Sequence, residues 1–432
     1  MSRAAPVRAP DARDLVIASC TPEQRLIMAM LAAPRAGPIW GDPAALARDV
    51  SWERFPAAID ETLKPYLHWV SQRAPFASLI PRQVEKSLNA AHVSAGIRNL
   101  RWAAELRQIT EAFRRERLSL MLVKGAVLQR TVYPDPSTRP MRDVDLVVRR
   151  DEMAKVERTL NELGFQIRTP IEQHTPAHGF EADEEAYFYK HIGDRILFVE
   201  VHTRLEGDAA EFRVSTSPPW SLCVHVPSAD GMRIPTLEPH AALRHLCLHL
   251  GHQHGFERAM LWLLDIRLFL ERYGASIRWP EFLDDSEAQA RPVIALTMIL
   301  AADWLGAHIP AEIRTVVPAE KKRIAISLAW DQIWDYIPSR RPPGSFVILL
   351  MHADFRKSWA FIRQRLRRWA TPIPGSNAST IALTGKRFWS ELRVYRAAIR
   401  EGGFRLSNLL KARRIYDRSN RLRALFATPP DA

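Results

Sequence analysis

The chain has 432 residues, 47% of them hydrophobic, which is enough apolar material for two or three packed domains and excludes a disordered or fibrous polymer. Its three cysteines, Cys20, Cys223 and Cys247, make neither a CxxC pair nor an even set, which excludes a disulfide framework and points to a reducing compartment, the cytoplasm. The formal net charge of +13 is concentrated near the end: from Arg356 to Arg423 there are 18 Lys or Arg against Glu391, Glu401 and Asp417, and the remainder is close to neutral.

In chain order, residues 1–20 contain no continuous apolar run and read as a flexible leader rather than an export signal. Residues 21–94 read as a helical region. TPEQRLIMAMLAA starts with a Thr N-cap followed by Glu23, and DETLKPYLHWVSQR continues the helical spacing. GIRNLRWAAELRQITEAFRRERL places Leu100, Ala103, Ala104, Leu106, Ile109 and Phe113 on a broad apolar face. The period then shortens. SLMLVK is a continuous apolar run ending at Gly125, AVLQRTVY is a short helix, and DVDLVV follows a Pro-rich turn. DEMAKVERTLNELGF carries acids in its first turn and Gly164 at its end, which predicts a helix. FQIRT, AYFYKHI and RILFVEVHTRL add three strands. The fold class is therefore α+β, a mixed sheet of about five strands with packed helices over residues 95–235.

From Leu237 the chain turns helical again, giving a helical domain over 236–370 and a basic helical region over 371–432, with TPIPGSNAST as a surface linker. The longest apolar stretch, ALTMILAADWLGAHIP, is broken by Asp303 and is too short to span a bilayer. No internal repeat appears at a solenoid period.

The chemistry concentrates at RPMRDVDLVV. Asp143 and Asp145 stand at i and i+2 of a strand, so both carboxylates leave the same face, about 7 Å apart. Ionised carboxylates entering a core need a partner or a cation, and this spacing suits two Mg2+ ions, with Mn2+ as a substitute. The competing reading is a salt-bridged strand end served by Arg139, Arg142, Arg149 and Arg150. Upstream, Lys124 and Gly125 lie where a strand turns into a helix; a glycine there lets backbone N–H groups approach phosphate, and the lysine adds a point charge.

The segment LMLVKGAVLQRTVYPDPSTRPMRDVDLVVRRDEMAKVERTLNELGF resembles an uncharacterised bacterial nucleotidyltransferase family of the polymerase-beta-like nucleotidyltransferase superfamily, which carries a Lys-Gly loop and an Arg-x-x-x-Asp-x-Asp strand. The resemblance covers roughly residues 95 to 205. It implies that Lys124 and Gly125 bind the nucleotide phosphates, that Asp143 and Asp145 hold two divalent ions, and that a third carboxylate on a later strand completes the metal site. This chain has Lys-Gly-Ala where the superfamily commonly has a glycine followed by a small hydroxyl residue or a second glycine.

Alternation along RILFVEVHTRL puts Glu200 and His202 on one face, and both would point to the aspartate side if this strand pairs next to DVDLVV. Glu200 is the chosen third carboxylate, as metal ligand or general base, with Glu184 and Glu185 as weaker alternatives. His202 would orient an acceptor or phosphate. Arg139 is assigned to phosphate oxygens, for which a planar guanidinium is suited, against the alternative that it neutralises a nearby aspartate. His245 and His249 lie at i, i+4, with His252 and His254 following. A zinc site there competes with the favoured reading, that they line a cleft between domains or are hydrogen-bonded core residues. Asp265, inside LWLLDIRLFL, would cap, pair with a histidine or face the acceptor.

These residues predict a metal-dependent enzyme that transfers a nucleoside monophosphate from an NTP to a hydroxyl of an unidentified acceptor. Two alternatives stand beside it: an inactive nucleotide-binding module, and an adaptor for an anionic membrane surface built on residues 356–425, which would place it peripherally at the inner membrane face. For that basic region, packing on the catalytic body ranks first, the membrane second and nucleic acid last, because no nucleic-acid module accompanies it.

Overall fold

The computed structural model describes residues 12, 14–32, 39–167, 185–193, 195–205, 220–228, 231–257, 259–283, 290–334, and 414, 417, 418, 421, 422 and 424–426. The TPIPGSNAST linker, most of the basic region, Glu184 and the leader at residues 1–11 and 13 fall outside these residues; the described part of the expected leader packs on the helical core, with Ala12 and Val16 buried and a 3-10 turn at Ile17–Ser19.

Four helices open the chain: α1 (Pro22–Ala32), α2 (Pro43–Asp49), α3 (Phe55–Ala58) and α4 (Lys64–Ser71). Thr21 caps α1 through a reciprocal box with Gln24: the Gln24 N–H donates to the Thr21 hydroxyl (3.2 Å), and the Thr21 N–H donates to Gln24 Oε1 (2.9 Å). A 34-residue helix, α5 (Arg82–Arg115), then runs unbroken past residue 95, so the helical region and the sheet share one element.

The buried face of α5 keeps Leu106, Ile109 and Phe113 of the predicted set and departs from it at Leu100 and Ala104. Trp102, Leu106, Ile109 and Phe113 are buried, while Leu100 is 73% exposed and Ala104 is also exposed. Glu105 takes a place on the inner face because Lys190 Nζ pairs with its Oε2 at 2.7 Å. An ion pair allows a charge where the pattern calls for an apolar residue, and it rotates the contact face away from Leu100.

The sheet comprises β1 (Met121–Val123), β2 (Asp143–Val147), β3 (Gln166–Ile167), β4 (Glu185–Ile192) and β5 (Arg195–His202), in the order β1-β2-β5-β4-β3. Only β2 and β5 pair in parallel. Between the strands lie α6 (Gly125–Thr131) and α7 (Met153–Glu162). Val144, Leu146, Val199 and Val201 project from one face into a core shared with Trp102, Leu106, Val156 and Leu160 of α5 and α7. The other face carries Met121, Val123 and Val147, which pack on Leu237. Leu237 belongs to a hairpin the sequence reading did not anticipate, β6 (Cys223–Pro227) with β7 (Arg233–Leu237).

The C-terminal helices are α8 (Pro239–Leu248), continued by a π-helical turn at His249–Gln253, then α9 (Ala259–Tyr273), α10 (Trp279–Phe282), α11 (Arg291–Leu305) and α12 (Ala319–Trp334). They pack with α1, α2 and α4 into a single apolar core. The apolar run that Asp303 interrupts is α11, buried nearly all round. Asp303 is satisfied by Arg314 Nη1 (2.5 Å) and by the Ala12 N–H (2.7 Å). Gly306, at φ +76°, ends α11 with the left-handed turn that a glycine adopts without steric cost. Among the described residues, no helix is long and apolar enough to cross a membrane.

Candidate active site

The sequence condition for a shared carboxylate face is met: β2 and β5 are neighbours, with Asp145 opposite Glu200 and Val147 opposite His202. In a pleated sheet this register puts Asp143, Asp145, Glu200 and His202 on the same side. One ligand atom from each of Asp145, Glu200 and His202 lies within 4.8 Å of the other two, the only such group among the described residues. Asp143 is outside that group, although its charge reaches Asp145 and Glu200. The histidines on and after α8 do not gather into a metal site among the described residues.

Among the described residues, Lys124 brings an ammonium directly onto the carboxylates of this face. Lys124 Nζ donates to Asp145 Oδ1 at 2.6 Å, and His202 Nε2 lies 3.0 Å from the same oxygen and 3.9 Å from Glu200 Oε2. The lysine reaches Asp145 from a backbone at φ +52°, ψ −130°, a conformation that costs a non-glycine residue on the order of 1–3 kcal/mol. Gly125 follows at the start of α6, and a Cβ there would collide with the Arg139 guanidinium, so the position requires glycine.

Burial raises all three carboxylates, and their neighbours then separate them. Asp145 is nevertheless held below the usual carboxylate range by Lys124 and His202. Asp143 is raised by burial and by the charge of Asp145. Glu200 is pushed up to about 8, by burial first and then by Asp145 and Asp143. Burial works against the Lys124 ammonium, but Asp145 and Glu200 more than offset it, so its pKa rises.

Arg139 is placed differently from a free phosphate clamp. Its Nε and Nη2 each donate to Asp265 at 2.8 Å, and the Tyr133 hydroxyl donates to Asp265 Oδ1 at 2.6 Å. Both partners of the ion pair are buried. Asp265 therefore pairs with an arginine and a tyrosine, not with a histidine. The guanidinium backs the Gly125 turn from behind. The charge in LWLLDIRLFL was the available signal for this pair, but its partner is 126 residues away and no local pattern names it.

The histidine helix comes close to the site. The buried His249 has its pKa lowered well below the ordinary value, first by burial and then by the Lys124 charge. Its Nδ1 lies 2.8 Å from Gln253 Oε1, and its ring packs edge-on against Trp262 (centroids 5.1 Å apart) and His254 (4.5 Å). His245 and Lys124 line one small cavity of about 30 Å³ between α8 and the sheet.

Fold and site together define a nucleotidyltransferase-type α+β protein. The family described as "Uncharacterised nucleotidyltransferase" matches residues 48–306, more than half of the sequence, and the chain belongs to that family. No curated protein matches it. Among solved structures, the chain is similar to the crystal structure of ANT(2")-Ia in complex with adenylyl-2"-tobramycin, at 16% identity and a TM-score of 0.29, over 45% of this chain and 94% of the other.

Proposed function

We propose that the chain transfers a nucleoside monophosphate from an NTP to a hydroxyl acceptor with the help of divalent metal. The observation that carries this reading is the convergence of Asp145, Glu200 and His202 within 4.8 Å on a buried face, with an ammonium already drawn to Asp145. The donor set fits a hard cation. Carboxylate oxygens predominate, and the pKa of Glu200 is raised first by burial and then by the Asp145 and Asp143 charges, which a cation would offset. Asp145 and Glu200 would hold the ion, with Asp143 and His202 at its margin; a bound Mg2+ supplies charge neutralisation at the reacting phosphate.

The residues of the chain then divide the work. Lys124 shifts its ammonium from Asp145 towards the phosphates, and the Gly125 turn lets backbone approach them. The acceptor oxygen attacks the α-phosphorus, Glu200 in its ionised form, having first released its own proton to solvent, takes the acceptor's proton, and the bond to the β-phosphate breaks so that pyrophosphate leaves with the electron pair. Arg139, held by Asp265, keeps the turn in place. Incubation with labelled NTPs and cell extract tests the proposal. Label should pass to an acceptor with wild type and not with Asp143→Ala plus Asp145→Ala; equal labelling from both would overturn it.

A further inference from the structure

Helices α4 and α5 pack against each other, and two histidines meet between them. His68 of α4 and His92 of α5 are both half-buried, with ring centroids 5.0 Å apart and planes inclined at 48°. Nδ1 of each ring is sealed from solvent, and neither has a hydrogen-bond partner, not even in the other ring. Buried polar atoms are almost always paired, so two orphaned nitrogens side by side call for a group that serves both. One turn further on from His68, Gln72 Nε2 donates to Glu85 Oε1 at 3.2 Å, which places a half-buried carboxylate near the pair.

The chemistry of this pair suits a borderline cation. Burial, and then the charge of His92, lower the His68 pKa against the pull of Glu85, so His68 is neutral at pH 7 and keeps a nitrogen lone pair. Neutral imidazole binds Zn2+, Cu2+ and Ni2+ well, whereas Mg2+ prefers oxygen. A tetrahedral Zn2+ about 2.0 Å from one nitrogen of each of two imidazoles holds the ring centroids about 5 Å apart, the separation found between His68 and His92. Neither histidine belongs to the group formed by Asp145, Glu200 and His202, and among the described residues no third protein ligand converges on them.

We propose that His68 and His92 form a second metal site, which binds Zn2+ through one ring nitrogen of each, with Glu85 as the neighbouring counter-charge and water in the open positions. Two protein ligands make the ion exchangeable. The site also joins the two helices that hold the segment leading into β2. Tyr66 of α4 packs edge-on against Tyr133 at 6.0 Å. Asn99 of α5 donates from Nδ2 to the carbonyls of Pro136 (2.7 Å) and Arg139 (2.8 Å), and its Oδ1 accepts from the Met141 N–H (3.2 Å).

Calorimetric titration of the full chain with Zn2+ tests the proposal, because losing a site changes the number of ions bound. His68→Gln and His92→Gln should each bind one Zn2+ fewer than wild type, and the double variant should lose no more than either single, since a two-ligand site fails when one ligand is removed. Asp145→Asn, which disables the carboxylate face, should retain this Zn2+, and adding His92→Gln to it should weaken that binding at least ten-fold. Mg2+ should not displace the ion. The metal-free histidine variants should melt with wild type, and the rise in melting temperature that Zn2+ gives Asp145→Asn should vanish when His92→Gln is added. Equal Zn2+ stoichiometry and affinity in wild type and His92→Gln would overturn the proposal, as would losses in the two single variants that add in the double.

Discussion

Removal of Asp265 tests the support of the site most directly. In Asp265→Ala, Arg139 keeps its charge in a buried position while losing two donors' acceptors at 2.8 Å, and the Tyr133 hydroxyl loses its 2.6 Å partner. Breaking a buried pair by deleting one partner costs about 3–5 kcal/mol, chiefly because the surviving charge is uncompensated. The Tyr133 loss falls inside that range, since the three groups form one network and their costs do not add. Equilibrium urea denaturation followed by circular dichroism should therefore show a drop of about that size with an unchanged slope. Asp265→Asn, which retains one acceptor oxygen, should fall between it and wild type. Arg139→Met combined with Asp265→Leu should recover most of the loss, because apolar groups of similar volume leave no buried charge. A loss below about 1 kcal/mol in Asp265→Ala, or a double variant no more stable than the single, would refute the argument.

Gly125→Ala should destabilise the chain by about 1–3 kcal/mol and weaken Mg·ATP binding by calorimetry, because the new methyl displaces Arg139; Gly274→Ala, where nothing lies within 4 Å, should be close to neutral. In EDTA, stability should fall as pH rises from about 4.5 towards 8: the folded chain keeps on Glu200 a proton that the unfolded chain has released, so raising the pH favours unfolding. Glu200→Gln should flatten that part of the melting profile, and parallel profiles would sink the assignment. Mn2+ binding followed by paramagnetic resonance should be lost in Asp145→Asn and only weakened in Asp143→Asn, since Asp143 stands outside the converging group. Trp102→Ala should cost about 3–5 kcal/mol and Leu100→Ser almost nothing, which separates the buried face of α5 from the face predicted by spacing.

The strands that carry the carboxylates were legible because their signals are local. A continuous apolar run, a two-residue alternation and a terminal glycine mark β1, β2 and β5 within a few residues each, and alternation alone puts Glu200 and His202 on one side. Whether that side was the aspartate side depended on strand order, a long-range property that β2 and β5 settle by pairing directly. Long-range partners were beyond reach for the same reason. Nothing near Glu105 announces Lys190, so the α5 face was drawn to include Leu100 and Ala104 beside the buried Leu106, Ile109 and Phe113, and nothing near Arg139 announces Asp265. The common core of the first and last helices joins segments about two hundred residues apart, which no window of periodicity can detect.

Charge on the carboxylate face is unevenly matched, and the mismatch says why its residues behave differently. Three carboxylates share a buried surface with one ammonium, so they cannot all ionise at the same cost. Lys124 and His202 both lie on Asp145 Oδ1, which makes Asp145 the stable anion, while Glu200, directly across the ladder, retains its proton to about pH 8. A group holding its proton near neutrality can exchange it with a hydroxyl or surrender it to an arriving cation. The strained backbone at Lys124 fits the same logic, since only a sharp turn there can both aim its ammonium at Asp145 and leave Gly125 bare against Arg139. The unusual Lys-Gly-Ala loop is thus tied to the DxD strand by an ion pair on one side and by the Arg139–Asp265 brace on the other. A change to either tie should reach the loop before it reaches the sheet.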